Sequence, residues 1–231
     1  MMRRGLSVLC AALILGGLLT LPVSAATVLT QDTFTKEADS SEKWVADRYE
    51  PEEWDVSDGV LYMALGSSGY YRNRPEDQKD KYYAQQGRKM IVDMPESNTW
   101  TATVRINVDD TWFSDSSLKK RAEFRVDLVD GSGNPVDVSP AIALIKGGSG
   151  SPLVNVVDPY ESSGWKTVQV FTNGDKEEES LYVEEDWHTL IVLCSGGAIT
   201  YYLDNIRLGT CDIGQTDLYP EYLSLSAQNF D

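Results

Sequence analysis

The pattern that most constrains this chain is a strict two-residue alternation. From Thr99 to Val108, the residues Trp100, Ala102, Val104, Ile106 and Val108 fall on one side, and Thr99, Thr101, Thr103, Arg105 and Asn107 on the other. Arg121 to Leu128 repeats it, with Ala122, Phe124, Val126 and Leu128 opposed to Arg121, Glu123, Arg125 and Asp127. Successive side chains of a strand point to opposite faces, so each segment reads as a strand with one face in a core and one in water. Further strands are expected at Val28–Phe34, Val60–Leu65, Lys89–Met94, Ala141–Ile145, Trp165–Phe171, Trp187–Cys194, Ile199–Leu203, Ile206–Thr210 and Tyr222–Ala227. Turn clusters such as Asp130 to Pro135, Gly147 to Pro152 and Asn173-Gly174-Asp175 punctuate them. No helical period emerges beyond the amino-terminal segment. Many short strands without helices imply an all-β chain, a two-sheet antiparallel β-sandwich.

The first 26 residues read differently. Arg3 and Arg4 precede an apolar stretch from Val8 to Leu21, and Pro22 leads into Val23-Ser24-Ala25-Ala26. That is the layout of a cleaved signal peptide, with the cut after residue 25 or 26. The apolar stretch is shorter than the ~20 residues that span a bilayer comfortably. Residues 27–231 are then expected to form a single domain, extracellular or periplasmic, with no membrane contact after cleavage. Loss of Arg3 and Arg4 moves the formal net charge from −16 to −18. So acidic a surface argues against nucleic acid or an anionic membrane as partner, since either requires a basic patch. No cofactor is expected. Structural calcium is compatible with the acidity, but no Asp-rich EF-hand loop is present to indicate it.

Export bears on the two cysteines left after cleavage, Cys194 and Cys211, because an oxidising compartment suggests a disulfide. In a meander of Leu190–Cys194, Ile199–Leu203 and Ile206–Thr210, both flank the same middle strand from opposite sides. Their separation is then roughly 9–10 Å at ~4.8 Å per strand, whereas a disulfide wants Cα atoms within about 7 Å. The bond forms only if the chain ends curl over the middle strand.

Several segments resemble known families. Gln31-Asp32-Thr33-Phe34, Trp187-His188-Thr189-Leu190 and Tyr201-Tyr202-Leu203-Asp204-Asn205 together resemble the concanavalin A-like, laminin-G-like sandwich, which implies a jelly-roll fold. More locally, Trp44-Val45-Ala46-Asp47-Arg48-Tyr49-Glu50-Pro51 and Gln86-Gly87-Arg88-Lys89 are similar to bacterial exported sandwich proteins with W-x-x-D-R-Y-x-P and Q-G-[RK]-K segments. That group implies architecture and no activity. Within it Arg48 and Tyr49 are expected to be structural, an arginine–carboxylate clamp and a packed ring.

Arg121-Ala122-Glu123-Phe124-Arg125 resembles the R-x-E-x-R strand of alginate-lyase-type enzymes, in which the arginines neutralise a uronate carboxylate. The Gln-x-His segment of those lyases is represented only by Gln169-Val170-Phe171, with phenylalanine in place of histidine, and Y-x-K-x-G-x-Y is missing around Tyr201. Without a base, proton abstraction has no agent. The E-x-D-x-E strand of laminarinase-type hydrolases is matched by Glu123, Arg125 and Asp127, so a cation occupies the middle acid's place. His188, the chain's one histidine, belongs to the sandwich's Trp-His strand start.

Binding is better supported than catalysis. Six tryptophans and twelve tyrosines offer rings on which pyranose faces stack. The candidate carbohydrate-binding residues are the loop pair Tyr70 and Tyr71 with Arg72, the loop pair Trp112 and Phe113, and the strand residues Arg121, Glu123 and Arg125. No catalytic residue is assigned. The expectation is a secreted, non-catalytic, lectin-like domain whose partner is an extracellular glycan. The alternatives are a divergent jelly-roll lyase or hydrolase, with Tyr201 or Tyr202 as acid/base partner, and an adhesive surface protein that binds another protein.

Overall fold

A computed structural model describes residues 27–64, 83–114, 119–147, 152–168, 183 and 185–230. Residues 1–26, expected to be a signal peptide, and Tyr70, Tyr71 and Arg72 lie outside these residues. The strands form three antiparallel sheets. The largest runs β1(Trp44–Ala46), β4(Tyr83–Ile91), β13(Leu218–Phe230), β6(Lys119–Asp130), β7(Ala141–Gly147), β8(Leu153–Val157) and β9(Trp165–Val168) in that spatial order. A four-stranded sheet has the order β12(Ile206–Asp212), β11(Ala198–Leu203), β10(Asp186–Ser195) and β5(Trp100–Val108). A hairpin of β2(Glu53–Ser57) and β3(Val60–Ala64) completes the set.

One core lies between the two large sheets. Phe124, Val126, Leu128, Ile142, Leu144, Val154 and Val156 meet Trp100, Ala102, Leu190, Val192, Ile199, Tyr201 and Leu203. These are the apolar halves of alternating strands, so the sandwich follows from the two-residue period. A jelly-roll β-sandwich is the result.

Local structure departs from expectation in places. Val28 to Phe34 is not a strand; Asp32 there accepts hydrogen bonds from the Phe34 amide and from Trp44 Nε1. Two short helices, α1(Glu37–Lys43) and α2(Thr111–Ser114), occur where no helical period was legible. One- and two-turn helices bury too little to imprint a period. Strands β1, β2 and β8 are too short or too closely flanked by charges to stand out. Among the described residues no helix is long and apolar enough to cross a membrane.

Cys194 and Cys211 are free, buried thiols. Cys194 pairs in register with Ile199, and Ile199 with Cys211, so the cysteines flank one strand from opposite sides. No bond joins them in this structure. Burial pushes both thiols above the ordinary cysteine value, which suppresses the reactive thiolate. Neither cysteine is therefore expected to react with iodoacetamide at neutral pH in the native protein, and both should label in denaturant. Intact-mass measurement checks this, and a species two hydrogens lighter would contradict it.

Candidate functional site

Strand β6 is the fourth of seven in its sheet, hydrogen-bonded on both sides. The expected alternation holds: Ala122, Phe124, Val126 and Leu128 pack against the core, which turns Arg121, Glu123, Arg125 and Asp127 to the outer face. The neighbours of the middle two are small. Glu123 stands beside Ser226 of β13 and Ala143 of β7, and Arg125 beside Ser224 and Ala141. One strand further out, Gly87 adjoins Ser226 and Asn155 adjoins Ala143.

The small residues let the long side chains lie flat. Arg125 reaches across β13 and β4 to Asp47, its Nη2 donating to Asp47 Oδ2 at 2.7 Å. Arg121 reaches the other way, its guanidinium carbon 3.9 Å from the centroid of the Trp165 ring on β9. Each contact joins strands three spacings apart, roughly 14 Å on a flat sheet. Closing that span takes extended arginines and a sheet that curls toward this face. Between the arms, Glu123 is only 5 % exposed, with Oε2 2.7 Å from Arg121 Nη2 and Oε1 3.7 Å from Arg125 Nη1. Arg125 Nε also lies 3.0 Å from Asp127 Oδ1. Burial opposes the Arg125 charge, but Asp127, Asp47 and Glu123 outweigh it and raise its pKa above the ordinary arginine value.

Asp47 is aimed by a local kink. The Tyr49 amide donates to Asp47 O, closing a three-residue turn around Arg48 at φ 68°, while Asp47 N and Tyr49 O both bond to Gly87. A non-glycine residue at positive φ is strained and persists where its surroundings over-determine it. Here they do: Arg48 Nη2 donates to Asp47 Oδ2 at 3.1 Å, and Arg88 Nε to Glu50 Oε2 at 2.7 Å. The W-x-x-D-R-Y-x-P and Q-G-[RK]-K segments are thus adjacent strands of one sheet edge. The carboxylate clamp expected of Arg48 is made to Asp47, and Arg125 joins it on the same carboxylate oxygen. Beyond Asp127 the face continues into a cavity of about 250 Å³ lined by Lys89, Asp127, Ser139, Glu221 and Tyr222, among others. Lys89 Nζ sits 3.8 Å from the Tyr222 ring centroid, and Ser139 Oγ donates to Asp127 Oδ1.

Arg121, Glu123 and Arg125 are therefore brought together as expected. Trp112 is not with them: it packs in the core at 7 % exposure, under Lys120 Nζ at 4.4 Å. A loop tryptophan next to a sandwich end gains more by burial than by facing water. Phe113, on the same short helix, is 36 % exposed and lies outside the β6 row. Tyr201 is fully buried on the four-stranded sheet with its hydroxyl toward Cys211 Sγ, and burial raises its phenol far above the ordinary range. Tyr202, its neighbour on that sheet, points away from the core. Neither can serve Glu123. His188 Nδ1 contacts Asp204 Oδ2 at 2.6 Å, and Asp204 Oδ1 accepts from Thr189 N, tying β10 to the turn at Asp204 and Asn205. Trp165, Asp47, Asn155, Ser224 and Ser226 join this face without a local pattern that marks them as its members, the alternation of Trp165 and Thr167 being the one signal available.

No protein-family model matches the chain, and no curated protein matches it by sequence. Among solved structures it is similar to the CBM2 module of the evolved Dit of Lactobacillus casei BL23 phage J-1, with TM-score 0.55, 14 % identity and 86 % of each chain covered. It is also similar to the GlcNAcα1-4Gal-releasing endo-β-galactosidase of Clostridium perfringens, with TM-score 0.51, 14 % identity, and 88 % of this chain and 58 % of that one covered. At these identities the likeness establishes the fold, the jelly-roll sandwich.

Proposed function

We propose that this chain is an exported, non-catalytic glycan-binding domain that receives an oligosaccharide on the outer face of the seven-stranded sheet. The observation that carries the reading is the β6 row: Glu123 and Arg125 set among alanines, serines and a glycine with Arg121 beside them, Trp165 at one end and Tyr222 at the other. Rings for stacking and fixed polar groups for hydroxyls are the elements of a sugar site. The names of the similar structures, a CBM2 module and an endo-β-galactosidase, support a carbohydrate partner.

Binding is favoured over cleavage by what surrounds Glu123. The flanking outward positions are Ser226 and Ala143, neither able to move a proton. Arg125 engages both Glu123 and Asp47, so a guanidinium stands where a scissile bond between two carboxylates would have to lie. The test is a glycan array with the protein, run beside a polysaccharide depolymerisation screen. Hits on the array without depolymerisation are expected. Trp165→Ala should then weaken binding of the array hit about tenfold, or ~1.4 kcal/mol, with the folded state retained by circular dichroism. Unchanged affinity would remove the ring from the site, and silence on the array would sink the glycan reading.

A further inference from the structure

We infer that the β6 face selects uncharged sugars and discriminates against uronate- or sulfate-bearing ones, a deepening that rests on the glycan reading above. The arginine-rich strand invites the opposite conclusion, since two exposed guanidiniums would grip a sugar carboxylate in bidentate fashion. These guanidiniums are already occupied. Arg121 is held by Glu123 at 2.7 Å and Arg125 by Asp47 at 2.7 Å and Asp127 at 3.0 Å, while the half-exposed Arg48 shares Asp47 at 3.1 Å. Lys89, a further cation of the face, shares its cavity with Glu221 and Asp127 while lying over Tyr222. Lys119, exposed at the start of β6, is itself engaged.

Among the described residues, the cations Arg48, Lys89, Arg121 and Arg125 thus face the carboxylates Asp47, Glu123, Asp127 and Glu221. With Lys119 counted, the described residues of the face carry at most one surplus positive charge, and they belong to a chain of net charge −16 whose field repels polyanions. An incoming carboxylate would have to displace Glu123 or Asp47. Their side chains are 5 % and 7 % exposed, and stripping a buried carboxylate of its partner is costly. Sugar hydroxyls impose no such exchange, because they donate to the outer lone pairs of the carboxylates and accept from the guanidinium edges while the ion pairs stay closed.

The test is an array that carries neutral, uronate and sulfated oligosaccharides, followed by titration of the hits from about 50 to about 500 mM salt, a span over which exposed charges become screened. Wild type is expected to bind neutral members, with affinity that changes less than twofold across the salt range. Asp47→Asn keeps an acceptor for Arg125 but leaves one cation uncompensated, and it should add anionic hits or strengthen them at least threefold at low salt. Wild-type preference for anionic members, or affinity that collapses with salt, would overturn the selectivity while leaving the glycan reading intact. Silence with every member would overturn both, and an Asp47→Asn variant that folds but gains nothing for anions would remove charge compensation as the cause.

Discussion

Replacing Arg125 with alanine is expected to destabilise the fold by about 3–5 kcal/mol, the range for removing one partner of a buried ion pair. For a domain of this size that corresponds to a drop in Tm of roughly 6–20 °C. One guanidinium serves Asp47 at 2.7 Å, Asp127 at 3.0 Å and Glu123 at 3.7 Å, with Ser224 Oγ at 3.5 Å. Alanine would leave Asp127 with only Ser139 and Ser224, and Asp47 and Glu123, each no more than 7 % exposed, with only Arg48 and Arg121. Because the folded pKa of Arg125 is raised, its contribution is fully present below the ordinary arginine value and is lost only above it. The destabilisation should therefore be the same at pH 6 and pH 9. Arg125→Lys keeps the charge but not the planar fork, and should fall between wild type and alanine. Urea denaturation measures all three proteins, and a loss below about 1 kcal/mol for alanine would show that water, not Arg125, satisfies these carboxylates.

The second large effect is expected from a single methyl group. A Cβ added at Gly87 would stand 2.3 Å from Leu225 O, 2.7 Å from Ser226 Cβ and 2.8 Å from Ser226 Cα. The first and last are backbone atoms of β13, which cannot swing aside as a side chain can. Gly87 is also held from the other edge by the hydrogen bonds to Asp47 N and Tyr49 O. Relief requires parting β4 from β13, and the cost should reach the upper end for overpacking, about 3 kcal/mol or more. Gly87→Ala is expected to lower the urea midpoint accordingly and to speed amide exchange along Tyr83–Ile91 and Leu218–Phe230, with the four-stranded sheet protected as before. Retention of wild-type stability would mean that the strands have slack here. The same close approach explains why the Gln86-Gly87-Arg88-Lys89 segment carries glycine at its second position.

Both expectations expose how differently fold and site are written in the chain. Glu123 and its arginines were legible because alternation is a local property: a strand turns every second side chain the same way whatever lies beside it. The separation of Cys194 from Cys211 was legible for the same reason, since the two meander turns set the strand spacing. The burial of Trp112 was not, because a loop ring can face water or fold onto the rim at nearly the same local cost. Trp165 was read only as the start of a strand, and Asp47 only as a motif letter, because nothing within either segment names the partner.

By itself, then, the sequence determined the class of fold and the residues that leave β6 on its outer face, because both rest on a two-residue period carried by each strand alone. Strand order was decided only in three dimensions. The last strand, β13, inserts between β4 and β6, which sets Ser224 beside Arg125 across 99 residues of chain. That insertion also opens a path of small side chains over which Arg125 meets Asp47, 78 residues away. Non-local pairing of this kind is set by how whole sheets twist and stack. It converts an arginine-rich strand that looks ready for an anion into a face whose charges are already spent on one another.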